Sequence, residues 1–232
     1  MIHGHHPHRK NILRIVLGYV CVIVSILGLV MLINSLFSLQ TVEVVGQNVT
    51  IEINKKILHS NLLFIPLDQV RKQLLKDYVL LSDVEIQKKY PHTIRIIPKL
   101  RRPIARLHTR DRIVFVDKEG WVVGDDQPRV MLPNLEFDVA QVFTGMQVQD
   151  ARVLASLSFL AAIPEDIQVQ SITTFDSASL RVTFDTIDIY IPQLRDMKKI
   201  AATLQTLRTG FRIKGKLPVI IDLRFDKPVV TF

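Results

Sequence analysis

From Ile15 to Phe37 the chain runs 23 residues without a charged side chain. At about 1.5 Å per residue a helix of that length reaches roughly 34 Å, enough to cross a hydrocarbon core about 30 Å thick, so the pattern predicts a transmembrane helix. Beyond it the periodicity changes. Val42 and Val44 alternate with polar residues up to Gly46, a strand that ends in a turn. Ile53, Ile57 and Leu58 then recur at helical spacing, and Pro66 opens a second helical pattern of Leu67, Val70, Leu74 and Leu75. Val84 with Ile86, and Ile94 with Ile96, form two alternating runs joined by a turn at Tyr90-Pro91-His92. Residues 38–100 therefore read as strand, helix, helix, strand, strand.

The second part, from residue 101, is richer in strands. Residues 103–108 and 112–116 read as strands, Asp117 to Gly120 is a hairpin turn with glycine at its last place, and Trp121 to Val123 returns from it. Val153, Leu154, Leu157 and Leu160 mark one face of a helix. Two strands follow, "SLRVTF" (Ser179–Phe184) and "DIYI" (Asp188–Ile191). A second helix is predicted from Gln193 to Arg208, with Leu194, Met197, Ala201 and Leu204 on one stripe. The end of the chain reads as two strands broken at Pro228. The predicted class is α+β: residues 1–14 a tail, 15–37 the membrane helix, 38–100 a βααββ domain, and 101–232 a β domain with two helices packed on a mostly antiparallel sheet.

Charge orients this arrangement. Arg9, Lys10 and Arg14 precede the apolar span and no acidic residue does, which keeps the N-terminus in the cytoplasm and places the chain from about Ser38 onward outside the membrane. The apolar run exceeds the roughly 7–15 residues of a signal-peptide core. No Ala-x-Ala-like cleavage site follows it, since the first alanine is Ala105. An uncleaved anchor is expected. The only cysteine, Cys21, lies inside the span, so the exported part needs no disulfide and offers no thiol nucleophile. The formal charge of +8 is mild and spread out. It suits proximity to anionic lipid or wall polymer and does not point to nucleic acid.

Five short motifs in this order resemble the FtsQ/DivIB family of bacterial cell-division proteins, whose βααββ unit is a polypeptide-transport-associated (POTRA) domain. "VEVVGQN" (Val42–Asn48) is similar to the first POTRA strand and its turn. "KKYPHTIRI" (Lys88–Ile96) resembles the family's Pro-x-Thr-Ile/Leu hairpin. "RRPIA" (Arg101–Ala105) resembles the junction motif, with Arg101, Arg102 and Pro103 as the domain junction. "VDKEGWV" (Val116–Val122) resembles an Asp-x-x-Gly turn, and "IDLRF" (Ile221–Phe225) the Asp-Leu-Arg strand near the family's C-terminus. Two positions depart from the pattern: Leu100 stands where the family usually has an acidic residue, and Ile191-Pro192 replaces a more usual Leu-Gly. The resemblance implies a non-catalytic scaffold without cofactor, an integral protein of the plasma membrane enriched at the division septum. It would link single-pass partners of the FtsL and FtsB/DivIC kinds.

The partner surface is expected at the end of the chain. The segment from Ile221 to Phe232 supplies a last strand that is a candidate sheet edge. Lys227 and Pro228 blunt its start, while "VVTF" stays apolar and β-prone. Strand addition there would engage Arg224, Phe225, Val229, Val230, Thr231 and Phe232. The competing reading has Val229, Val230 and Phe232 packing on the domain's own core. For the junction run, Lys99, Arg101 and Arg102 read as solvated charge or as an attraction for lipid headgroups or an acidic partner.

Other constellations carry less. Four histidines in the first eight residues lack a second shell for a metal, and His59, His92 and His108 have no Cys or Glu at ligand spacing. Asp125-Asp126 and Glu165-Asp166 read as solvated loop acids, and Trp121 as a strand side chain packed on its sheet. No phosphate loop, Gly-x-Ser-x-Gly or His-Glu-x-x-His motif is present, and neither a catalytic residue nor a small-molecule substrate is expected. An envelope enzyme or wall-polymer binder is the alternative class.

Overall fold

The computed structural model describes residues 8–46, 51, 60–125, 131–164 and 166–232. The chain divides into two compact units, Met1–Lys99 and Leu100–Phe232. In the first, helix α1 (His8–Leu36) contains Val16–Leu36, 21 residues of mean hydropathy 2.8 whose side chains are all exposed, long and apolar enough to cross a membrane. Strand β1 (Thr41–Val44), helix α2 (Leu67–Asp77) and strands β2 (Leu81–Lys89) and β3 (Thr93–Leu100) follow. The strands form one sheet in the order β1-β3-β2, with β1 parallel to β3. The helix expected from Ile53, Ile57 and Leu58, and the end of the "VEVVGQN" stretch, lie outside the described residues.

The core of this unit follows the alternation in the sequence. Val84, Ile94 and Ile96 are buried with Leu39 and Leu62, and α2 covers them with Val70 and Leu74. Asp68 in the first turn of α2 and Lys76 in its last both favour the helix dipole. Pro98 does not end β3, and the reason is parity. The carbonyls of His92 and Ile96 accept from Gln40, Thr41 and Val45, so even-numbered residues of β3 direct their polar groups toward β1. Pro98 falls beyond the last of these bonds, where a missing N–H leaves no partner unpaired.

The second unit contains β4 (Ala105–His108), β5 (Ile113–Val116), β6 (Val122–Gly124), β7 (Asn134–Glu136), α3 (Ala151–Leu160), β8 (Val169–Asp176), β9 (Ser179–Phe184), β10 (Ile187–Pro192), α4 (Met197–Lys214), β11 (Ile220–Asp222) and β12 (Val229–Thr231). The nine strands make one sheet in the order β12-β11-β10-β9-β8-β7-β4-β5-β6. Neighbours are antiparallel except at β10–β11, β4–β7 and β7–β8. Helices α3 and α4 share a core with one face of the sheet. Leu135, Ile172, Val182, Ile189 and Ile221 point into it from the strands, and Leu157, Phe159, Met197 and Leu204 from the helices.

Two strands have no clear period in the sequence. In β8 the register shifts between Val169 and Ser171 and again between Thr174 and Asp176. The bulges put Val169 and Ile172 on the same face three residues apart, which hides the period of two. Strand β7 is only three residues long and buries one side chain, Leu135. Helix α4 is also displaced from the expected Gln193–Arg208. Asp196 caps its N-terminus, its carboxylate accepting from the N–H groups of Lys198 at 3.0 Å and Lys199 at 3.4 Å. Gly215, at φ 64°, ends it in the left-handed conformation. Leu194 therefore precedes the helix and is 91 % exposed, while Met197, Ala201 and Leu204 keep their place in the core.

Truncating Leu157 or Leu204 to alanine is expected to cost about 2–5 kcal/mol in chemical denaturation, as for other buried leucines. Leu194→Ala should leave the unfolding midpoint where it is.

Candidate partner-binding edge

Strand β12 closes the sheet on one side, with Val229, Val230 and Thr231 opposite Asp222, Ile221 and Ile220. The polarity of its backbone follows from the bonds of its neighbour. The carbonyl of Val219, just before β11, accepts from Asp188, and the N–H of Leu223, just after it, donates to the carbonyl of Tyr190, so by alternation Ile221 between them faces β10. Ile220 and Asp222 then face β12, where they pair with Thr231 and Val229. The Thr231 carbonyl, which accepts from Val219 at 2.8 Å, also faces inward. The N–H and C=O of Val230 consequently point away from the sheet. At the opposite margin β6 is covered: Val122 donates to the carbonyl of Met146, and Gly145 donates to that of Val122. Among the described residues of the second unit, β12 is the uncovered edge.

The side chains alternate in the same way. Val230 packs against the core opposite Ile221. Val229 and Thr231 lie on the outer face and are exposed. Phe232 is 64 % exposed and meets Phe211 of α4 edge-to-face, with ring centroids 5.9 Å apart. Leu217 and Val219 are exposed beside it and extend this apolar rim. A cavity of about 450 Å³ between α4 and the sheet is lined in part by Phe184, Ile187, Leu204, Phe211 and Leu217. Another of about 330 Å³, lined by Ile200, Leu223, Phe225 and Pro228, lies at the start of β12. The rim residues Phe211, Leu217 and Val219 had no signal in the sequence, because α4 and the β11 loop meet β12 only in the folded sheet.

Arg224 and Phe225 precede the edge. Arg224 is turned back on its own loop: its backbone N–H and Nε each donate to Asp222 Oδ1 at 3.0 Å, and Nη2 donates to Oδ2 at 2.6 Å. Its guanidinium also bonds Asp176 and lies over Phe175, Tyr190 and Phe225 at 5.0–5.6 Å. Arg224 thus braces the loop that delivers β12, and Phe225 remains exposed. The Arg224 hydrogen bonds hold the Asp222 carboxyl below its usual range, against the opposing effect of burial.

The junction residues separate. Arg101 is neither solvated nor available to lipid or an acidic partner. Its side chain is 9 % exposed, and Nη1 donates to Asp117 Oδ2 at 2.6 Å and Glu119 Oε2 at 2.8 Å. The guanidinium also stacks 4.8 Å from the ring centroid of Trp121. Burial opposes this charge, but the hydrogen bonds that Arg101 donates to Glu119 and Asp117 outweigh it and raise the pKa of Arg101. Asp117 Oδ1 accepts from the N–H groups of Glu119 and Trp121, so one carboxylate organises the whole turn. Gly120 sits there at φ 83°, where a Cβ would come within 2.9 Å of Leu154 Cδ2. Lys99 pairs with Asp83 at 3.5 Å. Arg102 is exposed and Pro103 half-buried.

The remaining candidates stand apart. His92 and His108 meet Thr93 and Asn134 at 3.3 Å, Asp125 is exposed, and Asp166 pairs with Arg208 at 2.8 Å. Residues 1–7, His59, Asp126 and Glu165 lie outside the described residues. Among those described, no three His, Cys, Asp or Glu residues gather at metal-binding distance.

Arg101→Ala leaves the Asp117 carboxylate buried without its partner and is expected to cost about 3–5 kcal/mol by denaturant titration. Arg102→Ala should change nothing measurable. Because the folded-state pKa of Asp222 is depressed, the stability from its pair is complete above the unfolded carboxylate value, near pH 4, and is lost as pH falls through the folded value. The stability difference between the wild type and Asp222→Asn should therefore be flat from neutral pH to about pH 5 and shrink below about pH 4.

The sequence matches no protein-family model and no curated protein.

Proposed function

We propose that the protein is a membrane-anchored scaffold of the bacterial division machinery, of the FtsQ/DivIB type. Its N-terminus lies in the cytoplasm and both folded units lie outside the plasma membrane at the septum. It recruits FtsL-type and FtsB/DivIC-type single-pass proteins by receiving a strand of a partner at β12. The observation that carries this reading is the uncovered edge, where Val230 turns its backbone outward and Val229 and Phe232 are exposed beside it. Such an edge gives main-chain hydrogen bonds for affinity and pockets for side-chain selection. The positive residues that precede the apolar span, the sheet order β1-β3-β2 of the first unit and the five motifs support the same reading. The first unit is then the POTRA domain and the second the receptor for the partner.

The parity of β12 makes the test specific. Val230→Pro removes an N–H that is not part of the β11 ladder, so thermal melting of the domain should stay close to that of the wild type. Co-purification of the FtsB/DivIC-type partner should fall about 2- to 10-fold, the worth of one net backbone hydrogen bond of about 0.5–1.5 kcal/mol. Phe232→Ala should also reduce recovery with little effect on melting. Undiminished recovery in both variants would remove β12 as the docking site.

A further inference from the structure

The base of the first unit carries a second surface, built around the end of α1. The helix passes into the sheet domain through short, bonded steps. Phe37 donates to the carbonyl of Ile33, Leu62 donates to the carbonyl of Phe37, and Ser38 pairs with Asn61. Asn61 Nδ2 donates to Asn34 Oδ1 at 2.9 Å. Asn34 is in the last turn of α1, within the apolar segment that ends at Leu36. The Asn61–Phe64 loop is thereby fixed beside that turn.

A second element reaches the same level. Strands β1 and β3 run parallel, so both begin at the α1 end, and the β2–β3 turn lies there with them. The His92 carbonyl accepts from Gln40 and Thr41. Tyr90 meets Phe37 edge-to-face at 5.9 Å. Lys88 Nζ donates to the carbonyl of Leu63 at 3.0 Å, which ties the turn to the loop. Phe64 is 82 % exposed and Tyr90 58 %, with Leu63 exposed beside them. Aromatic rings with lysines, directly at the end of a membrane-length helix, have the composition of the membrane–water interface.

We propose that the Asn61–Phe64 loop and the Lys88–His92 turn form a collar seated in the lipid headgroup layer, with Phe64 and Tyr90 as its anchors. This rests on reading α1 as a membrane span. The occupant is lipid because α1 and the collar are continuous. Asn34 lies two positions before Leu36, about 3 Å of helix, so a loop bonded to Asn34 lies at the hydrocarbon boundary whenever Val16–Leu36 fills the bilayer. The collar holds the first unit at a set height and orientation on the membrane.

The test uses the full chain in phosphatidylcholine nanodiscs whose acyl chains are brominated either near the glycerol or near the terminal methyl. Phe64→Trp is compared with Ile26→Trp, at the middle of the span, and the emission of the parent protein with Trp121 is subtracted. Phe64→Trp emission is expected to be blue-shifted and to fall about twofold with shallow bromines and little with deep ones, as for interfacial tryptophans. Ile26→Trp should be quenched by the deep bromines. A Phe64→Trp signal untouched by either lipid, or quenched more by the deep one, overturns the collar; with Ile26→Trp quenched, the span stands. Failure to quench Ile26→Trp overturns both.

Discussion

The pairing of β12 with β11 decides which atoms of the second unit remain open. Once Ile221 stands opposite Val230, the pleat does the rest. Side chains and backbone polar groups alternate together along a strand, so burying Val230 against the core obliges its N–H and C=O to face away from the ladder. A slip of one residue would expose Val230 and bury Val229 and Thr231. It would also turn a different pair of backbone groups outward. The hydrophobic core and the open edge are thus two consequences of one register.

That register depends on the loop between Asp222 and Val229, and the loop is held by an arginine–carboxylate fork. Among the described residues of this unit the same arrangement occurs twice. Asp150 and Arg152, at the start of α3, repeat the bonds of Asp222 and Arg224: the backbone N–H and Nε of the arginine donate to Oδ1, and Nη2 donates to Oδ2. In both pairs the arginine hydrogen bonds hold the carboxyl below its ordinary range. Arg101 braces a turn from a distant part of the chain in a different way, one Nη1 donating to both Asp117 and Glu119. The planar fork suits arginine and would be lost with lysine, whose ammonium is a single point of charge.

In the first unit the corresponding constraint is the bonding between α1 and the sheet. Hydrogen bonds of Phe37, Asn34 and Asn61 leave no free linker between helix and domain. A domain joined in this way keeps the level of the helix end, so the aromatic residues nearby share the environment of that end. The pairing of β1 with β3 brings Tyr90 to the same place from residues far along the chain.

Much of this was legible in the sequence because it depends on local periodicity. The 23-residue uncharged run specifies a membrane-length helix. The alternation at Val84, Ile94 and Ile96 specifies a hairpin with one buried face, and the stripes through Leu157 and Leu204 specify two core helices. Each needs only the backbone period and the cost of exposing apolar surface. Features set by distant partners were not legible. Bulges erased the period of β8, and Asp196 rather than the apolar stripe set the start of α4. The charge of Arg101 looked solvated until Asp117, Glu119 and Trp121 closed around it. The sequence by itself determined which segments bury apolar faces and that β-prone residues lie at Val229 to Phe232. Tertiary structure alone decided that β12 lies at the rim of the sheet with the Val230 backbone outward, because edge and polarity are properties of a strand's neighbours and register, which no local pattern contains.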